Sequence, residues 1–244
     1  MGRKLLKISY LGTEFCGWQV QPNGVSVQQT LQNALQEVLK TRPDLTGCSR
    51  TDSGVHAKEF YCHFDSDTNI PNKGIISALN TVLCNDIAVL DCKDVPDSFH
   101  ARYSAKGKTY GYYFYCSNTP DPFLYRRALQ LKTGFDLEPA NEYCGLITGK
   151  HDFASFSSSH RSVINTVRTV TDCRVVRLKN SYAFFVSADG FLYNMVRIMV
   201  GTMFDYARGR ITEQNISDAF KGENRSLLGY TAPAHGLYLE RVYY

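Results

Sequence analysis

Residues 49–64 read SRTDSGVHAKEFYCHF, a polar loop with a glycine that leads directly into a stretch of alternating side chains. From residue 60 to residue 64, phenylalanine, cysteine and phenylalanine alternate with tyrosine and histidine, which predicts a strand with one buried face. Residues 4–10 alternate in the same way and predict an earlier strand. Between the two strands, Ser26 and Gln29 form a capping-box pattern, which predicts the start of a helix.

The rest of the chain continues this succession of strands and helices. The elements predicted after residue 64 are a helix near 73–83, strands near 86–92 and 107–116, a helix near 138–148, a hairpin of 168–178 and 182–188, helices near 191–208 and 213–221, and a strand near 236–243. Short loops join most of the strands, without the crossover helices that a parallel sheet needs. We therefore predict an α+β fold with two halves and an antiparallel sheet.

The composition is that of a globular protein with a mild excess of basic residues. Of the 244 residues, 43% are hydrophobic and 20% charged, and 27 Lys and Arg against 23 Asp and Glu give a net charge of +4. These values exclude a disordered, collagen-like or coiled-coil protein. No segment reaches the roughly 18 apolar residues of a membrane span, and no targeting signal is found. We therefore expect a cytoplasmic protein without a membrane partner.

The eight cysteines are scattered along the chain and include no Cys-x-x-Cys pair. The adjacent Cys62 and His63 would point to opposite faces of a strand and could not easily share a metal ion. We therefore expect reduced thiols and no structural zinc site.

The segment from Arg102 to Lys132 combines basic and aromatic side chains. Six of its residues are Lys or Arg, one is acidic, and tyrosines and phenylalanines lie between them. Basic side chains bind phosphates and aromatic rings stack on bases, so this mixture favours RNA as a partner over an acidic protein. A tyrosine-rich strand with solvated lysines explains the same composition, and both interpretations stay open at this point.

The densest group of candidate catalytic side chains lies in the loop that begins at Ser49. Arg50, Asp52 and His56 stand within seven residues. Nearby cations favour the charged form of a carboxylate, and an ionised Asp52 can act as a nucleophile or a base. The alternative is a structural turn in which Asp52 caps its own backbone and Gly54 supplies a positive φ.

Residues 49–57, Ser-Arg-Thr-Asp-Ser-Gly-Val-His-Ala, resemble the signature Gly-Arg-Thr-Asp-Ala-Gly-Val-His-Ala of the tRNA pseudouridine synthase A family. Five further segments resemble motifs of this family in the same order, namely 10–21, 99–112, 149–156, 191–201 and 232–237. The resemblance covers essentially the full length of the chain.

The resemblance implies a fold of two ferredoxin-like α/β subdomains. Residues 1–104 would form the N-terminal pseudouridine synthase subdomain with the catalytic aspartate loop, and residues 105–244 the C-terminal one. A central antiparallel sheet would join them, with the active-site cleft between them.

The resemblance also implies an activity. Members of the family convert uridine to pseudouridine in tRNA by detaching the base from the ribose at N1 and rejoining it through C5. Their substrates are uridines 38, 39 and/or 40 of the anticodon stem and loop. We therefore expect a tRNA partner, a homodimer, and a reaction that needs no metal ion and no small-molecule cofactor.

Three residues acquire catalytic roles from the resemblance. Asp52 is the catalytic aspartate, which either adds to the sugar or takes a proton, and both routes stay open. Tyr110 packs on the target base and can offer a hydrogen bond, and Arg197 pairs with Asp52 and keeps it charged. Without the resemblance, Tyr110 is an ordinary strand aromatic and Arg197 a polar contact of a helix.

Several basic residues are candidates for RNA contacts. By its motif, Arg50 contacts the RNA or fills the gap that the extracted base leaves. His56 and Arg102 are further candidates for substrate binding. Candidate phosphate ligands, each of which is otherwise a solvated surface charge, are Lys106, Lys108, Arg126, Arg127, Arg161 and Arg168.

Two other functions compete with this interpretation. A catalytically silent tRNA-binding protein would keep the architecture but lose Asp52, Tyr110 or Arg197, and all three are present. A nucleoside hydrolase would also need a carboxylate at the anomeric carbon, but it would release free uracil, and no residue pattern indicates a water-activating site.

Overall fold

A computed structural model describes residues 2–158, 165–222 and 224–244. The chain forms two compact units, one made of Met1–Lys106 with Tyr238–Tyr244 and the other of Gly107–Leu237. This division differs from a single boundary after residue 104, because the last strand of the chain pairs with a strand of the first unit.

Within the described residues, the chain forms ten strands and five α-helices. The strands are β1 (Gly2–Tyr10), β2 (Thr46–Gly47), β3 (His56–Ser66), β4 (Ile87–Val95), β5 (Gly107–Cys116), β6 (Leu129–Leu131), β7 (Gly149–Asp152), β8 (Val167–Arg177), β9 (Tyr182–Ala188) and β10 (Leu237–Tyr243). The helices are α1 (Val27–Leu39), α2 (Asn72–Val82), α3 (Leu137–Ile147), α4 (Met195–Tyr206) and α5 (Glu213–Lys221). The predicted α+β class is confirmed, whereas the ferredoxin-like description and the cleft stay predictions.

In the first unit, the strands lie in the order β4-β1-β3-β10, and β2 pairs with β3. Strand β1 is antiparallel to both β3 and β4. Helix α1 begins as predicted, because the Gln29 N–H donates a hydrogen bond to Ser26 Oγ at 3.2 Å. Its buried face carries Leu31, and the sheet contributes the fully buried Ile8 and Phe60 to the same unit.

In the second unit, the strands lie in the order β5-β9-β8-β7, and each of these neighbouring pairs is antiparallel. The predicted hairpin is confirmed as β8 and β9, whose turn is closed by a 2.8 Å hydrogen bond from the Leu178 N–H to the Ser181 carbonyl. Helix α3 packs against β8, and α4 is buried along most of its length.

The predicted antiparallel arrangement is found in most of the strand pairs but not in all of them. Strand β10 runs parallel to β3, with Tyr238 opposite His56, and β6 runs parallel to β5, with Leu129 opposite Phe114. Parallel pairing needs a long connection between the two strands. Residues 67–236 separate β3 from β10, and residues 117–128 separate β5 from β6, so both connections are long enough.

None of the helices in 2–158, 165–222 and 224–244 has the length and apolar character needed to cross a membrane.

Candidate active site

Asp52 lies in the loop that connects β2 with β3, and its side chain is half-buried. Gly54 has a φ of 78°, a left-handed conformation that favours glycine. The Val55 N–H donates a hydrogen bond to the Asp52 carbonyl at 3.1 Å and closes the turn. Gly54 therefore has the positive φ that the structural-turn alternative assigns to it, and the turn gives the Asp52 backbone a defined geometry.

Residues 15–18 hold this loop in place. The Trp18 N–H donates to the Thr51 carbonyl at 3.1 Å, and the Gly54 N–H donates to the Phe15 carbonyl at 3.3 Å. Gly17 has a φ of 105°, and a Cβ at this position would lie only 2.5 Å from the Thr51 carbonyl oxygen. Residue 17 must therefore be glycine for the backbone of 51–53 to keep this position.

Side chains of the core also hold this loop in place. The hydroxyls of Tyr10 on β1 and Thr51 are hydrogen-bonded at 2.8 Å, and Thr51 is 8% exposed. The Trp18 ring packs on Phe60 of β3 with a centroid distance of 4.2 Å. The 49–57 loop is therefore held by two strands of the first unit, which would lower the cost of orienting Asp52 for a reaction.

The opening motif at 10–21 explains this arrangement, a role that the resemblance alone does not indicate. Its residues provide the Tyr10 hydroxyl and the backbone of 15–18, which act on the loop through hydrogen bonds. The sequence feature that indicates this role is Gly17 next to Trp18, because a glycine beside a large residue is typical of a close approach between two segments.

The side chain of His56 is fully buried, so an RNA could not reach it in this conformation. Its Nδ1 accepts a hydrogen bond from the Gly12 N–H at 2.9 Å, and its ring lies 4.5 Å from the ring of Tyr238 on β10. His56 therefore connects β3 with the segment after β1 through a hydrogen bond and with β10 through ring packing. These contacts favour a structural role for His56, and its contact with the substrate stays a prediction.

Arg50 and Arg102 are both exposed, as a contact with RNA requires. Arg50 directly precedes the buried Thr51 in the 49–57 loop. The guanidinium carbon of Arg102 lies 5.6 Å from the centre of the Tyr103 ring. Among the candidate phosphate ligands, Lys106, Arg126 and Arg127 are exposed, Lys108 and Arg168 are half-buried, and Arg161 lies outside the described residues.

Tyr110 is buried on β5, opposite Val186 of β9, and is 7% exposed. Its ring meets the ring of Phe191 edge to face, with a centroid distance of 5.1 Å. Phe191 belongs to the 191–201 motif, so residues of two separate motifs pack together here. This packing restricts the orientation of the Tyr110 ring.

Arg197 lies in the first turn of α4 and is half-buried. Its Nε donates to the Ala232 carbonyl at 2.7 Å and its Nη1 to Asn194 Oδ1 at 3.0 Å, while the Ala232 N–H donates back to the Arg197 carbonyl at 3.0 Å. Asn194 has a φ of 59° and precedes the helix, which therefore begins later than residue 191. These contacts hold the guanidinium in one orientation.

Helix α4 approaches the 229–232 segment closely. A Cβ at Gly201 would lie 1.7 Å from the Tyr230 carbonyl oxygen, and the Gly229 N–H donates to Thr202 Oγ1 at 3.1 Å. The close approach places Ala232 where Arg197 can bind it. The motifs 191–201 and 232–237 therefore meet around one arginine.

Asp52 belongs to the first unit, and Tyr110 and Arg197 belong to the second. The pairing of Asp52 with Arg197 and the contact of Tyr110 with a base stay predictions.

Comparisons with known proteins agree on one family. A family model described as tRNA pseudouridine synthase matches residues 7–104 and 144–244. The chain is 40% identical over 239 residues to tRNA pseudouridine synthase A 2 of Clostridium perfringens, and the match covers 98% of each chain. It is 39% identical over 244 residues to tRNA pseudouridine synthase A of Thermoanaerobacter sp. strain X514, and this match covers 100% of each.

Among solved structures, a chain of a Cbf5-Nop10-Gar1 complex matches with a TM-score of 0.39 and 10% identity, covering 97% of this chain and 48% of that one. This similarity is too low to support an argument.

Proposed function

This chain belongs to the tRNA pseudouridine synthase family, and from that premise we propose that it isomerises uridine to pseudouridine at positions 38, 39 and/or 40 of the tRNA anticodon stem and loop. The family acts on uridines of tRNA. The observation that carries the proposal is the relationship over the full chain, together with a 49–57 loop that residues 15–18 hold in place.

The reaction is balanced within the substrate and the protein. The N1–C1′ glycosidic bond breaks, a C5–C1′ bond forms, the C5 proton leaves, and N1 acquires a proton. No oxidation or phosphate transfer occurs, so the proposal includes no metal ion and no cofactor.

We assign the catalytic role to Asp52. An ionised carboxylate stabilises positive character at the anomeric carbon while the glycosidic bond breaks, as in glycoside hydrolysis. The base must then be retained for reattachment, which requires that water be kept from the reacting carbon. The hydrogen bonds from Trp18 and Gly54 support this assignment, because they give the loop a fixed geometry before the substrate binds.

Tyr110 and Arg197 complete the proposed machinery. The edge-to-face packing of the Tyr110 ring on Phe191 fixes the orientation of the ring, which supports its role in holding the target base. The hydrogen bonds of Arg197 to Ala232 and Asn194 support its role as the cation that keeps the catalytic carboxylate charged. Arg50 and Arg102, both exposed, are the proposed RNA contacts.

We further propose a cytoplasmic homodimer. The eight cysteines all lie in the described ranges and carry thiols, which suits a reducing compartment. Two subunits of charge +4 would attract tRNA more strongly than one. Size-exclusion chromatography with light scattering tests the dimer, and a monomer at micromolar concentration would contradict it.

The experiment that tests the activity uses transcribed tRNA whose uridines carry tritium at C5. Release of tritium to water, without metal ion or nucleotide, is expected from a tRNA with uridines at 38–40. Replacement of these uridines by cytidine should abolish the release. Release that persists would show another target position, free uracil would show a hydrolase, and binding without release would show a silent tRNA-binding protein.

A further inference from the structure

The loop after β4 carries a tyrosine that is held in an exposed position. Tyr103 is 76% exposed, whereas its neighbour Ala101 is fully buried. Its ring packs on the His100 ring with a centroid distance of 4.3 Å and an interplanar angle of 30°. The solvent-exposed Tyr103 ring therefore packs against the His100 ring on one side.

The turn that carries Tyr103 is closed around His100. The backbone N–H groups of Arg102 and Tyr103 both donate to His100 Nδ1 at 3.2 Å. The His100 N–H donates to Ser104 Oγ at 3.0 Å, and the Ser104 N–H donates to the His100 carbonyl at 2.8 Å. Four hydrogen bonds thus fix the backbone of five residues.

The turn is also anchored to the core of the first unit. The Ala101 N–H donates to His63 Nδ1 on β3 at 3.1 Å, and the Ala101 carbonyl accepts from the Tyr244 hydroxyl at 2.7 Å. The His63 and His100 rings lie 5.0 Å apart. Tyr103 is therefore preorganised, and a ligand that stacks on it does not have to order the loop.

The charges around Tyr103 indicate the class of ligand. The guanidinium of Arg102 lies 5.6 Å from the ring centre, and Lys106 nearby in the sequence is also exposed. Exposed aromatic rings flanked by cations bind unpaired nucleotides, because the base stacks on the ring and the cation binds the phosphate. An apolar protein surface would leave the two cations without anionic partners.

We propose that Tyr103 is a stacking platform for an unpaired base of the RNA substrate, and that Arg102 binds the adjoining phosphate. This inference rests on the proposed function. It assigns a positioning role to Tyr103, which acts on RNA binding and leaves the chemical step unchanged.

The test compares Tyr103→Ala with wild type for binding and turnover of unmodified tRNA. Loss of a stacked base should raise the Kd and the KM by about 5- to 100-fold, while kcat at saturating tRNA stays within about twofold. Tyr103→Phe and Tyr103→Trp should have the wild-type Kd and KM. The melting temperature should be the same in all these variants as in wild type. Tyr243→Ala is the matched control, because Tyr243 is 42% exposed and lies 5.9 Å from the Arg241 guanidinium.

A scan of anticodon stem-loop RNAs with single abasic sites identifies the stacked base. One abasic site should weaken binding to wild type but not to Tyr103→Ala, as a double-mutant cycle requires. An unchanged Kd for Tyr103→Ala in an active enzyme would overturn the inference, as would the absence of such coupling at every site. A change of oligomeric state in Tyr103→Ala would instead assign the ring to a protein interface. If wild type releases no tritium but Tyr103 and an abasic site are coupled, the proposed function fails and the inference stands.

Discussion

Gly17→Ala tests whether the 15–18 segment sets the position of the 49–57 loop, which carries the proposed catalytic Asp52. A Cβ at residue 17 would lie 2.5 Å from the Thr51 carbonyl oxygen, 3.2 Å from the Asp52 carbonyl carbon and 3.3 Å from the Ser53 nitrogen. Ordinary contacts begin at 3.4 Å, so the loop must recede by roughly 0.9 Å. The substitution therefore moves the backbone of Asp52 without changing its carboxylate.

The magnitudes follow from these distances. Overpacking costs about 1–3 kcal/mol, and an alanine at a φ of 105° adds about 1–2 kcal/mol of backbone strain. The free energy of unfolding should fall by about 2–5 kcal/mol. Misplacement of a reacting group by about 1 Å costs about 100-fold in rate, so kcat should fall by about that factor in the folded fraction.

The assay combines tritium release at saturating tRNA with urea unfolding, which gives the folded fraction at the assay temperature. Gly145→Ala on α3 is the matched control, because a Cβ there meets nothing within 4 Å. It should keep kcat and gain about 0.5–1 kcal/mol of stability from helix propensity. Wild-type kcat and stability in Gly17→Ala would refute the reasoning.

Three further substitutions test other contacts. Arg197→Lys cannot keep the guanidinium geometry that binds Ala232, so kcat should fall by at least about tenfold with a small loss of stability; an unchanged kcat would contradict this. Burial, with the positive charge of Arg3 as a smaller cause, lowers the pKa of His63 to about 4 from 6.5. As the pH falls, His63 is therefore protonated in the unfolded chain before it is protonated in the folded protein. About 1–3 kcal/mol of the free energy of unfolding, which is fully present above pH 6.5, should be lost as the pH falls to 4. Urea unfolding across this pH range should show that the free energy of unfolding of His63→Asn depends less on pH than that of wild type. An equal pH dependence in the two proteins would exclude His63 as the cause. Gly201→Ala places a Cβ 1.7 Å from a backbone carbonyl and should lower the free energy of unfolding by about 3 kcal/mol or more, and wild-type stability in urea would contradict that close approach.

Local patterns in the sequence predict local structure in this protein. The Ser26 cap, the alternating strand at residues 4–10 and the β8–β9 hairpin all depend on residues close together in the chain, and all three are confirmed. Each of these elements has its own signal, because side-chain periodicity and capping act within a few residues.

Long-range features were not predictable in the same way. The parallel pairing of β10 with β3 joins residues far apart in the sequence, and no local pattern specifies it. The burial of His56 depends on packing against Tyr238, which is far away in the sequence, so the motif predicts a substrate contact at a residue that the fold buries. The backbone hydrogen bonds from 15–18 to the 49–57 loop involve no particular side chain, and Gly17 is the one sequence feature that indicates them.

The most direct test of the central claim compares wild type, Asp52→Asn and Asp67→Asn. Asp67 is exposed and provides a matched change of charge outside the proposed machinery. Wild type and Asp67→Asn should release tritium from tRNA labelled at C5 of uridine, and Asp52→Asn should release none above background while it binds tRNA with a similar Kd. Undiminished release by Asp52→Asn would contradict the assignment of the catalytic carboxylate, and no release by wild type that binds tRNA would contradict the proposed activity itself.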